Sequence, residues 1–280
     1  MHITITGNLG SGKSTICRLL SEEYQFEIYS TGKVQRELAR KMNMSTLELN
    51  QLMRMDQQYD RMIDNETARI SGENKDEDII FDSRLAWNFV KSSFKVFVSV
   101  SLEVAAVRVM NDKRGEEERY SSLEEAKNLL AERAATEKVR YKEIYNVNYM
   151  DFSNYNLVID STYCTPDKIT EVIYREAKKY GKDPWTVTRM LVSPKRLILP
   201  DGFKDEIPEA SKEILHGTDL PQDNDKVPYV IDTVIKVEKK EDDYLVLNHF
   251  EQAKAAYQSG ICYVPIEMVQ TEWLFSKNLQ

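Results

Sequence analysis

Cysteine is scarce in this chain of 280 residues. The three present, Cys17, Cys164 and Cys262, are odd in number and none sits in a C-x-x-C pair. That argues against a disulfide framework or a cysteine zinc site and fits a reducing cytoplasm. Histidine is as scarce, and His2, His216 and His249 show no metal-ligand spacing. Apolar runs are short. None approaches the roughly 20 residues that cross a bilayer. The start, MHITITG, lacks the basic flank and apolar stretch of a signal peptide and reads as a strand. Positive charge is in deficit: 38 Lys and Arg against 46 Asp and Glu leave a net charge of -8. Phosphate backbones attract clustered Lys and Arg, so nucleic acid is not an expected partner. A local basic pocket for one small phosphate ligand is still allowed. What is present, 41% hydrophobic and 30% charged residues, is an ordinary globular composition and not a disordered one.

Proline divides the chain. Only Pro166 occurs in the first 180 residues, whereas Pro184, Pro194, Pro200, Pro208, Pro221 and Pro228 crowd the next stretch. Before that change, short apolar strands alternate with helices. Strands are predicted over His2–Thr6, Asp78–Phe81, Lys95–Val100 and Leu157–Ile159, with helices near Lys13–Glu23, Thr31–Met42, Asn65–Ile70, Leu102–Arg114 and from Ser121 to Tyr145. Ser45 and Glu48 form a capping-box pattern. Ser101 and Thr165 are expected to cap helices, with Pro166 at the first helical position after Thr165. This alternation predicts an α/β fold, a parallel sheet covered by helices on both faces. After about Gly181 the stretch Asp201–Lys226 reads as polar loop. Strands at Tyr229–Val237, Tyr244–Leu247 and Tyr263–Val269, with a helix at Phe250–Ser259, then suggest a small α+β unit. The expected organisation is two domains, 1–182 and 186–280.

The first strand leads into Gly7-Asn8-Leu9-Gly10-Ser11-Gly12-Lys13-Ser14-Thr15, which fits G-x-x-x-x-G-K-S/T. Glycines let backbone N–H groups turn inward around a polyphosphate, and the following helix aims its N-terminal dipole at the same anion. Lys13 is expected to reach the β/γ-phosphates of ATP and Ser14 to ligate Mg²⁺. The same nine residues, from Gly7 to Thr15, are therefore the predicted nucleotide-binding loop. No guanine motif of the NKxD type is found.

Beyond the loop, Arg133-Ala-Ala-Thr-Glu137-Lys-Val-Arg140-Tyr141 is followed by Tyr145, by Asn148-Tyr149-Met150-Asp151 and by Tyr155-Asn156-Leu157-Val158-Ile159-Asp160. This run resembles the R-x-x-S-E-x-x-R-Y…Y…D-Y-x-D…Y-D-L-V-I-D pattern of the cytidylate kinase-like family, in its short archaeal-type branch, over about residues 1–180. Thr136 replaces the usual Ser, and Asn148 and Asn156 replace usual acids. The resemblance implies a P-loop nucleoside monophosphate kinase using ATP and Mg²⁺. It implies an acceptor segment at Ser30-Thr31-Gly32 with Arg36, a second acceptor-lining segment at Asp82-Ser83-Arg84, and a mobile lid beginning at Arg114-Gly115-Glu116. Arg133 and Arg140 lie seven residues apart, two helical turns, so they share a helix face that could clamp a transferring phosphate. An ordinary solvated face, paired with Glu132 and Glu137, would look the same. Arg36 and Arg84 are the candidates for the acceptor phosphate. Asp82, predicted at the C-terminal end of a strand where open α/β sheets bind ligands, could orient a Mg²⁺-bound water, or act as base were the acceptor an alcohol.

The catalytic set is thus Lys13, Arg133, Arg140 and Asp82, with Thr31, Gly32, Arg36, Asp82 and Arg84 at the acceptor. CMP or dCMP is the expected acceptor. A kinase of another small molecule, or a nucleotide-sensing regulator, would use the same loop. Residues 244–266 resemble a ParB/sulfiredoxin-type pattern, but His249-Phe250 replaces His-Arg and Asn248 stands where a glycine is usual. With 16 acids against 11 Lys and Arg, residues 186–280 are expected to be regulatory or to bind a protein partner, and to be dispensable for phosphoryl transfer.

Overall fold

The computed structural model describes residues 1–45, 48, 49, 52, 56, 58–111, 120–200 and 230–269. Strand β1 (His2–Gly7) is buried along its whole length, as a central strand covered on both faces must be. Helix α1 (Lys13–Tyr24) follows, then β2 (Glu27–Ser30) and α2 (Thr31–Lys41). After α3 (Gln58–Glu73) come β3 (Ile79–Asp82), the short α4 (Ala86–Phe89), β4 (Phe94–Ser99), α5 (Leu102–Asn111) and α6 (Leu123–Tyr145). Strand β5 (Leu157–Asp160) and α7 (Pro166–Lys182) complete the predicted first unit. Strands β2, β3, β1, β4, β5 and β6 (Arg189–Val192) lie in that spatial order, all parallel.

Side-chain caps hold several of the helix starts. Ser45 and Glu48 exchange capping-box bonds, with the Glu48 N–H donating to Ser45 Oγ at 3.2 Å and the Ser45 N–H to Glu48 Oε2 at 2.6 Å. Ser101 accepts from the Val104 N–H at 3.4 Å. Thr165 is a correction: it occupies the N-cap position of α7, but its side chain makes no capping bond. Pro166 at the first helical position and Asp167 in the first turn carry that start instead. Of the lid segment expected from Arg114 to Arg133, residues 114–119 lie outside the described residues and Leu123 to Arg133 belong to α6; the polar stretch 201–226 also lies outside them.

The sheet does not stop where the composition changes. Strand β6 pairs with β5 in parallel, Val158 opposite Met190, and then with β10 (Val264–Met268) antiparallel, Pro265 opposite Leu191. Beyond β10 lie β8 (Ile235–Lys240), β9 (Asp243–Val246) and β7 (Leu197–Ile198), so ten strands form one sheet. The cores are shared as well. Ile3, Val98 and Ile159 pack in one cluster with Leu191, Val230 and Tyr263, and Phe97, Tyr155 and Val158 pack on the opposite face with Ile235, Val237 and Ala256 from helix α8 (Phe250–Gln258). The boundary expected near residue 184 is a loop between α7 and β6, within a sheet that runs through it.

Candidate active site

The chain order of strands reverses around β1, whose neighbours are β3 and β4. A crevice must open beyond the C-terminal end of such a strand. It is a cleft of about 970 Å³ lined by residues 8–16 of the phosphate-loop segment, by Ser30, Thr31 and Gly32, by Asp82, Ser83 and Arg84, and by Arg108, Arg133 and Cys164.

The loop's backbone is set by two glycines in left-handed conformations, Gly10 at φ +74° and Gly12 at φ +81°. A Cβ on Gly10 would meet the Ala105 carbonyl oxygen at 2.8 Å, so strand, loop and α5 close together only because that position is glycine. Around a Cβ on Gly12 nothing lies within 4 Å. Gly12 is the N-cap of α1; no side chain caps that end and no acidic residue occupies its first turn. The hydroxyl of Ser11 is buried without a hydrogen-bond partner in the protein. An uncapped helix N-terminus, an open glycine cradle and an orphaned buried hydroxyl fit an anionic polyphosphate.

Lys13 reaches across the cleft to an ion pair with Asp82 at the end of β3. Arg84 donates to the carbonyl of Gly7 and pairs through Nε with Glu137 Oε2 at 3.0 Å. Glu137 also holds Arg133, 3.5 Å from its Nε to Oε1, and lies 3.5 Å from the Tyr149 hydroxyl. One carboxylate on α6 thereby orients two guanidinium groups that line the cleft.

The two α6 arginines part company. Arg133 lines the cleft, while Arg140 forks onto Asp60 of α3 at 2.9 and 3.0 Å. Thr31 and Gly32 line the cleft, with Ser30 capping α2 through the Lys33 N–H at 3.2 Å. Arg36 is exposed one turn further along, its Nη1 3.4 Å from where a Gly32 Cβ would stand, and is not part of the lining. Among the described residues no cluster of His, Cys, Asp and Glu could hold a metal ion by itself, and no helix is long and apolar enough to cross a membrane.

Sequence reasoning missed Arg108. Its Nη1 donates to Ser161 Oγ at 3.1 Å and lies 3.3 Å from the Gly10 carbonyl, and its Nη2 donates to the Ser161 carbonyl at 2.6 Å. Burial lowers its pKa from the usual arginine range, against the pull of Asp160. The signal was present: Arg108 is the one polar residue in the helical run Val104–Met110. A charge in such a run needs a partner, and here it joins the phosphate loop to the loop after β5.

A family model for the cytidylate kinase-like family matches residues 2–163, more than half of the chain. The chain belongs to the cytidylate kinase-like family. It is an enzyme of the nucleoside monophosphate kinase class. Among its relatives, the cytidylate kinase of Methanococcoides burtonii is 35% identical over 181 residues, 65% of this chain and 99% of that protein. The cytidylate kinase of Natronomonas pharaonis is 35% identical over 185 residues, 65% of this chain and 92% of that protein. A crystal structure of an uncharacterized protein from Eubacterium ventriosum shares the fold, with a TM-score of 0.50 at 18% identity over 64% of this chain and 98% of that one. The family match ends at residue 163, so this kinase carries β6 to β10 outside it.

Proposed function

We propose that this kinase moves the γ-phosphoryl group of ATP onto a cytidine monophosphate, CMP or dCMP. The observation that carries the proposal is the cleft itself. It sets the cradle of Gly10, Ser11 and Gly12 opposite Asp82, Arg84 and Arg133, in a chain whose relatives are named cytidylate kinases.

Phosphoryl transfer requires two phosphates in line and neutralisation of the charge on the moving group. The backbone of residues 10–15 would cradle the β- and γ-phosphates. The Ser14 hydroxyl would hold a divalent cation, which supplies positive charge to the phosphate oxygens when bound. Lys13 exchanges its Asp82 partner for phosphate oxygens, releasing the carboxylate to orient water or the acceptor. Arg84 and Arg133, held by Glu137, present forked donors to the transferring group. Thr31, Gly32 and Arg36 flank the acceptor side. Arg140 reaches the phosphates only by leaving Asp60. An acceptor phosphate is already anionic, so no strong base is needed. Residues 186–280 are an accessory segment built onto this core, with a regulatory or partner-binding role.

The test is ADP release across nucleoside monophosphates and small alcohols. The expected outcome is turnover highest with CMP or dCMP. Turnover with an alcohol alone would replace the acceptor and make Asp82 the base. ATP binding without turnover on any acceptor would turn the proposal toward nucleotide sensing.

A further inference from the structure

Two of the three cysteines meet. Cys164 lies in the loop between β5 and α7 and lines the cleft. Cys262 stands just before β10, in the part of the chain outside the family match. The Cys164 thiol donates to the Cys262 carbonyl oxygen at 3.3 Å, across 98 residues of sequence. The two residues thus stand side by side, and the Lys168 ammonium on the first turn of α7 acts on Cys262. Both side chains retain a little exposure, 9% for Cys164 and 7% for Cys262, whereas Cys17 is sealed at 1%.

Phosphoryl transfer as derived above uses neither thiol. Thiol chemistry needs a thiolate, a neighbouring sulfur and access. The neighbouring Cys164 thiol, with the Lys168 ammonium behind it, holds the Cys262 pKa below the usual thiol value in spite of burial. Burial pushes the Cys17 thiol well above its usual value. The chain thus holds one acidic thiol, one partner within reach of it and one inert control. We infer that Cys164 and Cys262 are a redox modification site that closes to a reversible intrachain disulfide under hydroperoxide and slows the kinase by pulling on the wall of its cleft.

The step balances with a hydroperoxide as the oxidant. The Cys262 thiolate attacks one peroxide oxygen; the O–O bond breaks and the departing oxide takes a proton to leave as water or alcohol. The Cys262 sulfenic acid is then attacked by the Cys164 sulfur. The S–S bond forms, the S–O bond breaks, and the hydroxyl leaves as water with the Cys164 proton. Two thiols are oxidised by two electrons and one peroxide is reduced. The bond ties the loop of residues 161–165 to the start of β10. The effect on turnover rests on the cleft being the nucleotide site, whereas formation of the bond does not.

Hydrogen peroxide is added to the reduced full-length protein, and the products are mapped by peptide mass spectrometry. The expected result is a Cys164–Cys262 disulfide with Cys17 still a free thiol, reversed by dithiothreitol. Cys262→Ser and Cys164→Ser should each abolish it, while Cys17→Ser should not. Turnover should fall about tenfold on oxidation and recover on reduction, since a displaced wall of a substrate site costs large rate factors. Sulfinic acid at either residue, a disulfide between two chains, or no oxidation where free cysteine reacts would overturn the pair. A mapped disulfide with unchanged turnover would overturn its coupling to the cleft. Absence of turnover in the reduced protein would instead count against the kinase assignment, leaving the mapping result to stand.

Discussion

The floor formed by the C-terminal end of β5 and the corner where α3 meets α6 each hold a carboxylate away from water, by opposite means. At the floor, Asp160 is fully buried and meets Arg196 Nη1 at 2.8 Å, an arginine only 3% exposed. Thr162 donates to the same carboxylate oxygen at 2.6 Å and accepts from the Ser101 N–H at 3.0 Å, and Tyr263 donates to the Asp160 carbonyl at 2.8 Å. At the corner, Asp64 receives the Tyr145 hydroxyl at 2.6 Å and faces the like charge of Asp60, and burial lifts its pKa to about 6. A full charge pair makes the floor rigid, whereas a neutral donor leaves the corner responsive to pH. Arg196 and Tyr263 come from beyond the family match. The accessory segment therefore fastens the backbone that continues into Ser161, the partner of Arg108.

The largest effect is expected from breaking the floor. Arg196→Leu leaves Asp160 buried with its charge unpaired, a loss of about 3–5 kcal/mol, readable as a lowered denaturation midpoint. Asp160→Asn in the same chain should recover much of it. A loss below about 1 kcal/mol, the worth of an exposed pair, would mean that Asp160 finds water and the two regions are alike. A chain ending at residue 192 removes both Arg196 and the β10 partner of β6, and should aggregate where the full chain does not.

Lys13–Asp82 lies between these extremes, a charge pair that must open for function. Lys13→Ala is expected to lower turnover by about 10²–10³-fold while the melting temperature holds, because Lys13 faces the cleft and not the core. Wild-type turnover in this variant would remove Lys13 from the phosphate site.

Much of residues 1–182 was legible in the sequence because the constraints there are local. Gly10 and Gly12 must adopt positive φ, β1 must be apolar, and Ser45 with Glu48 must close a box three residues long. Residues 186–280 were legible only as separate elements. Strands at Tyr244–Leu247 and Tyr263–Val269 stood out, but joining the second of them to β6 depends on pairing between residues about 70 apart, which no local pattern reveals. The proline-rich stretch after Gly181 has the composition of a linker, and a buried Arg196–Asp160 pair leaves no trace in either segment alone. The same limit separates Arg133 from Arg140. Helical spacing puts both on one face, but Asp60, 80 residues earlier, decides that Arg140 turns away.

The smallest effect belongs to the corner, and its sign is fixed by the direction of the shift. The folded Asp64 titrates at about 6, above the ordinary aspartate value of 3.8. Between those values the folded chain holds a proton that the unfolded chain releases, so stability falls as pH rises through that window. The substitution Asp64→Asn keeps an acceptor for the Tyr145 hydroxyl and removes the ionisation. The variant should match the wild type near pH 4 and exceed it above pH 6. Because Asp64 is partly exposed, the gain is about 1 kcal/mol and not the full value of the shift. Urea denaturation of both chains at pH 4 and pH 8 checks it. A gain of the same size at both values would show that Asp64 ionises normally, and the corner would then differ from the floor in packing alone.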